Sequence, residues 1–161
     1  TEIYTLFLHD ALPIWINNGA YRCGFAKSQQ AYEQAFQKLF EALDLLDKRL
    51  ATQRFLVGSR LTEADVRLFT TLVRFDAAYH GLFKCNLRRI EDYPNLSNYL
   101  RDLYQRPGFG DTTDIDAIKR GYYSIAHLNP SGIVPKGPAL DFTVPHGRER
   151  LAGRGIATRG E

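Results

Sequence analysis

The chain has 161 residues, enough for one domain with a substantial core, and its 44% hydrophobic, 24% charged and 12% aromatic content excludes a disordered or low-complexity chain. The formal net charge of +3 is small and spread along the sequence, so charge gives no reason to expect nucleic acid or an anionic membrane as a partner. No apolar run approaches membrane-spanning length.

The first residue is Thr1 rather than methionine, and the chain is expected to be a fragment of a longer protein. Residues Ile3 to Trp15 are apolar but lack a preceding basic segment, and Asp10 to Pro13 does not join naturally to the residues after it. Residues 1–14 are therefore read as an unassigned fragment end. The stretch Asn17-Asn18-Gly19-Ala20-Tyr21-Arg22-Cys23-Gly24-Phe25-Ala26 reads as rich in turns. From Ser28 to about Ala51 lies the longest helical signal, with Tyr32, Ala35, Phe36, Leu39, Leu43, Leu46 and Leu50 recurring at three- and four-residue steps.

A second helix is expected from Thr62, after a turn at Gly58. Thr62 is its N-cap, Asp65 closes a capping box, Leu61 and Val66 occupy the hydrophobic-staple positions, and Glu63 suits the positive end of the helix dipole. This helix runs to about Tyr79, with Gly81 marking its end. A third opens at Tyr93-Pro94, with proline at the first helical position, carries Leu96, Leu100 and Leu103, and stops before Pro107-Gly108. A fourth begins near Asp114, with Ile115, Ile118 and Tyr122 on one face. No segment sustains two-residue alternation. The expected fold is an all-α bundle over residues 15–128, followed by an extended Pro/Gly-rich tail over 129–161 whose last dozen residues are disordered. The tail arginines, among them Arg148, Arg150, Arg154 and Arg159, are offset by Glu149 and Glu161 and make a weak case for RNA binding.

Cys23 and Cys85 belong to no metal-spaced or C-x-x-C group, and the four histidines are scattered, so no metal is expected. Two cysteines in a helical chain suit a reduced, cytoplasmic protein. Arg22 would favour a Cys23 thiolate, yet small side chains packed inside the fold are the simpler reading of both cysteines. Tyrosine, with nine copies, is the conspicuous reactive side chain, and Tyr21, Tyr79 and Tyr122 sit at helix ends or in a loop. A phenol can donate or accept a hydrogen bond, and can pass a proton if its pKa is lowered.

The stretch from Gly58 to Leu68 resembles the folding motif of the helical domain of soluble glutathione transferases. The Asn17–Ala26 stretch, the run from Leu61 to Asp76, Tyr79 with Phe83-Lys84-Cys85, Asp92 to Leu96, Tyr104 to Gly108 and Asn129 to Pro135 are similar to the Xi class, the glutathionyl-hydroquinone reductases. The resemblance covers about Trp15 to Arg150. It implies a glutathione-transferase C-terminal-type helical bundle, normally preceded by a thioredoxin-like domain that holds a Cys-Pro nucleophile and the glutathione site. It also implies that Tyr21 is the proton donor and acceptor, and that Tyr79 and Tyr122 bind the hydroquinone oxygens and tune the thiol. Glutathione is the implied co-substrate, a glutathionylated aromatic the implied substrate, and a homodimer the implied assembly. The nucleophile is not in this chain, so the fragment alone is expected to be inactive. Removing the partner domain is expected to expose an apolar strip along the first two helices. The competing reading is a non-catalytic helical interaction module built on the same domain.

Overall fold

The computed structural model describes residues 2–153, with side chains from Ala11 onward. Among these residues there is no strand, only bridges between Phe55 and Gly58 and between Val57 and Arg60 in the connection to the capped helix. The elements are helices α1 (Glu2–Gly24), α2 (Gln29–Leu50), α3 (Glu63–Arg74), a π-helical turn (Phe75–Tyr79), α4 (His80–Leu82), α5 (Leu96–Tyr104) and α6 (Ile115–Tyr123), with short 3-10 turns between them.

The first difference from the sequence reading is α1. It runs without a break through Pro13 and through Asn17-Asn18-Gly19, where turns were expected, and it carries Tyr21 on helix. Leu12, Ile16, Ala20 and Cys23 are all buried, at helical spacing. This stripe packs on α2, whose Ala35, Leu39, Leu43, Leu46 and Leu50 are buried in turn. Burial of one continuous face outweighs the poor helix propensity of three residues. Ser28 caps α2, accepting from the Ala31 amide at 3.2 Å.

The capped helix begins where expected, and Thr62 and Asp65 meet in a capping box. Asp65 is fully buried and does more than cap. Its Oδ2 accepts the Thr62 amide at 2.9 Å, while Oδ1 accepts the Leu56 amide at 2.9 Å and the Tyr99 hydroxyl at 2.6 Å. One carboxylate thus ties the turn before α3, the start of α3 and the middle of α5.

Beyond Arg74 the helix widens into the π turn, where the His80 amide bonds to the Phe75 carbonyl. All five residues of that turn are buried. Gly81 does not end this segment. The chain leaves the helix at Lys84, a non-glycine residue at φ 58°. Gly81 instead leaves room for Tyr123, whose hydroxyl would lie 2.6 Å from a Cβ there.

Two further helical starts are held by acidic side chains remote in sequence. Asp47 on α2 accepts the Asn95 and Leu96 amides at 2.9 and 2.8 Å, capping α5 from across the core. Asp76 accepts the Ile90 and Glu91 amides at 2.7 and 3.1 Å. Asp114 caps α6 itself, accepting from the Ala117 amide at 2.9 Å.

The tail lies extended over the bundle and is fastened at several points. Lys119 donates to the Lys136 carbonyl at 2.8 Å, and Gln105 donates to the Phe142 and Val144 carbonyls at 2.9 and 2.7 Å. Phe142 is buried against Tyr104, with ring centroids 5.1 Å apart. The disorder expected for the last dozen residues falls mainly on 154–161, outside the described residues.

Arg148 overturns its reading as a candidate RNA contact. It is 1% exposed and donates to the carbonyls of Leu50, Gln53 and Arg54, each at 2.9 Å. Its guanidinium also lies 5.7 Å from the Tyr99 ring centroid. Arg148→Ala strands three carbonyls and empties a buried space, so it is expected to lower the unfolding free energy by about 3 kcal/mol in urea denaturation. Arg148→Lys cannot span three acceptors and is expected to recover less than half of that. A loss under about 1 kcal/mol for Arg148→Ala contradicts this role.

Candidate active site

Tyr21, Tyr79 and Tyr122 are far apart in sequence and meet in space. Tyr21 projects from the last turn of α1, Tyr79 closes the π turn, and Tyr122 stands near the end of α6. The Tyr21 and Tyr122 hydroxyls are 2.7 Å apart, and those of Tyr79 and Tyr122 are 3.0 Å apart. Tyr122 is therefore the centre of a three-phenol network. One added residue in the π turn shifts the phase of the helix, and Tyr79 follows that turn to its place facing α6.

The rings are set by Phe83, which is fully buried. Tyr79 stacks on it, with centroids 5.1 Å apart and planes at 2°, while Tyr21 meets it edge-on at 5.1 Å and Tyr122 at 5.9 Å. Gly24 makes this approach available, since a Cβ at that position would lie 2.3 Å from the Phe83 ring.

Exposure divides the three phenols. Tyr21 and Tyr122 are half-buried, whereas Tyr79 is only 1% exposed, so its hydroxyl meets the open face through Tyr122. Open hollows flank the network. One of about 640 Å³ runs along Tyr21, Arg22 and Lys38, and another of about 490 Å³ lies against Tyr122, Ile118 and Arg74.

The electrostatics set the protonation of Tyr21 and Tyr79. Burial, with the bond from Tyr122, pushes the Tyr21 phenol up to about 12, and burial raises Tyr79 further still. The Arg74 charge opposes both shifts but is the smallest contributor. These phenols hold their protons at neutral pH. They are suited to donating a proton or a hydrogen bond to a developing negative charge, not to acting as ionised bases.

Neither cysteine enters this network. Cys23 and Cys85 are free and buried, and no Cys-Pro turn holds them. The Cys85 thiol lies 3.8 Å from the Ala20 carbonyl, and the influence of Cys85 lowers the Cys23 pKa against the opposing effect of burial. The influence proposed for Arg22 is replaced by Cys85, a neighbour that the sequence separation conceals. Among the described residues, no group of three or more His, Cys, Asp or Glu side chains is placed to hold a metal ion. No described helix is long and apolar enough to cross a membrane. On the first two helices Ile14, Trp15 and Leu45 stand exposed, as does Phe25 just after α1.

The chain is similar to known proteins. Residues 29–102 match the family model of the glutathione S-transferase C-terminal domain. The chain is 57% identical over 125 residues to the glutathionyl-hydroquinone reductase PcpF of Sphingobium chlorophenolicum, covering 77% of this chain and 40% of that protein. It is 50% identical over 145 residues to the glutathionyl-hydroquinone reductase YqjG of Escherichia coli, covering 87% of this chain and 44% of that protein. The glutathione-bound structure of YqjG superposes with a TM-score of 0.84 at 48% identity, over 89% of this chain and 48% of that one. A Xi-class transferase from Natrialba magadii superposes with a TM-score of 0.84 at 52% identity, over 86% of this chain and 43% of that one. The chain spans less than half the length of the curated relatives it matches.

Proposed function

Because this chain carries the C-terminal helical domain of the glutathione S-transferases and is homologous to the Xi-class transferases and the glutathionyl-hydroquinone reductases, we propose that it is the substrate-binding helical half of an enzyme that reduces glutathionyl-hydroquinones to hydroquinones. Glutathione is the co-substrate. One observation carries the reading beyond homology, namely that phenols from α1, the π turn and α6 converge in one hydrogen-bonded network beside open hollows.

The nucleophile is a cysteine of a Cys-Pro turn in a thioredoxin-like domain outside these residues. Its thiolate attacks the sulfur of the glutathionyl-hydroquinone. A sulfur–sulfur bond forms, the carbon–sulfur bond breaks, and the electron pair leaves with the ring carbon. That carbon takes a proton from Tyr21, a phenol whose high pKa keeps it protonated until negative charge develops beside it. Solvent returns the proton. A second glutathione thiolate then attacks the mixed disulfide, releasing glutathione disulfide and regenerating the cysteine thiolate. The ring gains one hydrogen, and its glutathionyl group joins one free glutathione as a disulfide, so the step balances.

Tyr122 holds a hydroquinone oxygen directly, and Tyr79 acts on the same oxygen through Tyr122. The phenol O–H donors also favour the attacking thiolate by offering it hydrogen bonds. The missing domain covers the apolar side chains exposed on α1 and α2, and the whole protein is a homodimer. Free, buried thiols suit a cytoplasmic setting. The placement is checked by titrating the chain with a stable naphthol as a hydroquinone probe and following the tyrosine ring resonances. Tyr122→Phe is expected to weaken binding about tenfold, the worth of one hydrogen bond to the ligand. Unchanged affinity, or resonance shifts confined to tyrosines outside the network, removes the phenols from the site.

A further inference from the structure

A cation stands beside the phenol network without a role in the proton transfer. Arg74, the last residue of α3, lines the hollow of about 490 Å³ together with Tyr122, Ile118 and Gly121 of α6. It also lines a second hollow of about 610 Å³, between α3, α6 and the turn that carries Phe109. Ala117 and Ile118 are common to both, so the two hollows adjoin at Arg74. Beyond that junction the second hollow is walled largely by apolar side chains, among them Val66, Phe69, Val73 and Phe109. Gly121 leaves the nearer hollow open, since a Cβ there would meet nothing within 4 Å.

Arg74 is half-buried, and its guanidinium is anchored. One N–H donates to the Thr70 carbonyl, one turn back on α3, at 2.8 Å. Among the described residues no carboxylate pairs with it, whereas Arg54, Arg101 and Arg106, also half-buried, each hold one. The one acidic side chain lining either hollow is Asp114, which accepts the Ala117 amide at 2.9 Å and forms no ion pair with Arg74. A guanidinium presents its donors as a flat fork that matches a carboxylate. Partial burial strips some of its water and strengthens its attraction for an anion brought into the hollow. Its charge also acts on Tyr21 and Tyr79, so it stands within electrostatic range of the network.

Resting on the reading of the phenols as the hydroquinone site, we propose that Arg74 is a specificity-determining residue that receives a carboxylate substituent of the hydroquinone ring. The ring sits with one oxygen at Tyr122, and its acidic substituent points along the hollow to Arg74, which donates to the carboxylate oxygens. Apolar parts of a larger ring system extend into the second hollow. The favoured substrates are therefore glutathionyl-hydroquinones of aromatic acids, and a neutral ring binds without this charge-assisted contact. The glutathionyl group carries carboxylates too, but in the reading above its site lies in the thioredoxin-like domain.

The test titrates the 161-residue chain at neutral pH with 1-naphthol and with hydroxynaphthoates whose carboxylate stands on the ring without the hydroxyl, followed by calorimetry. The best-placed acid is expected to bind about tenfold more tightly than naphthol, the scale of one charge-assisted hydrogen bond. Arg74→Gln, checked for retained helicity, is expected to bring that ratio to about one, and Arg74→Lys to keep part of it through charge without the fork. Arg120→Gln removes an exposed cation of α6 that lines neither hollow, and is expected to leave the ratio at its wild-type value. Three results overturn the proposal while naphthol binding leaves the phenol reading standing. They are acids that bind no better than naphthol, a ratio that survives Arg74→Gln, and a ratio that falls equally in Arg120→Gln. Binding of S-methylglutathione that is weakened by Arg74→Gln also overturns it, by giving the cation to the glutathionyl group. If the chain binds neither naphthol nor the acids, or if naphthol affinity ignores Tyr122→Phe, the phenol reading falls and takes this inference with it.

Discussion

Asp65→Ala is expected to destabilise the chain by about 4 kcal/mol, measured as the loss of unfolding free energy in urea at neutral pH. A helix cap alone is worth about 1 kcal/mol, and that is the value the sequence suggests for either member of the Thr62–Asp65 pair. The structure separates them. Thr62 lies at the partly exposed start of α3, and Thr62→Ala keeps the ordinary cost of a cap. Asp65 is fully buried, and its oxygens accept from the Leu56 amide, the Thr62 amide and the Tyr99 hydroxyl. Removing it takes the acceptor from these three donors and from the Thr62 hydroxyl; the Leu56 amide and the Tyr99 hydroxyl lie deep in the core, and each stranded buried group costs about 1–3 kcal/mol. Asp65→Asn keeps an acceptor but turns an NH2 group towards those donors, and falls between the two. Equal losses for Thr62→Ala and Asp65→Ala would reduce this network to a cap.

In an enzyme that joins this chain to a Cys-Pro domain, Tyr21→Phe is expected to lower kcat/KM about a hundredfold, the usual scale for removing a general acid. Tyr122→Phe is expected to cost a similar factor, because its hydroxyl is the shared partner of the other two phenols. Tyr79→Phe should cost less, since its buried hydroxyl reaches the open face only through Tyr122. The sign of the pH dependence comes from the raised Tyr21 pKa of about 12. A group that must be protonated to act keeps its activity below that pKa, so no loss of rate from Tyr21 ionisation is expected between neutral pH and about pH 10. Full activity in Tyr21→Phe would take the proton transfer away from this phenol.

The sequence legibly carries the elements whose signals are local. The apolar spacing of α2, the Thr62 and Asp114 caps and the break before Pro107 all depend on neighbours within a turn or two, and each appears in the structure close to where its residues predict. The three tyrosines are legible only through motifs, because nothing in their spacing says that Tyr122 meets Tyr21 across the bundle. What escapes is what depends on partners far along the chain. Asn17-Asn18-Gly19 looks like a turn until the buried stripe of Leu12, Ile16, Ala20 and Cys23 is placed against α2. Asp47 carries no capping signature, because the helix it caps begins after Asn95. Arg148 sits among prolines and glycines that suggest a loose tail, while its three acceptors belong to the end of α2 and the turn after it. The π turn leaves no periodic trace, since one extra residue in a helix that is buried all round changes no visible pattern.

Under the proposed function, this chain supplies the phenol wall of the site and a separate domain supplies the sulfur. The most direct test replaces the matching C-terminal part of the YqjG reductase of Escherichia coli with this chain. The chimaera and the 161-residue chain are then assayed side by side for hydroquinone release from a glutathionyl-hydroquinone in the presence of glutathione. The chimaera is expected to release hydroquinone, and the chain alone is expected to match the uncatalysed rate. Release by the chain alone well above that rate, abolished by Cys23→Ser, would contradict the account and move the nucleophile into this domain.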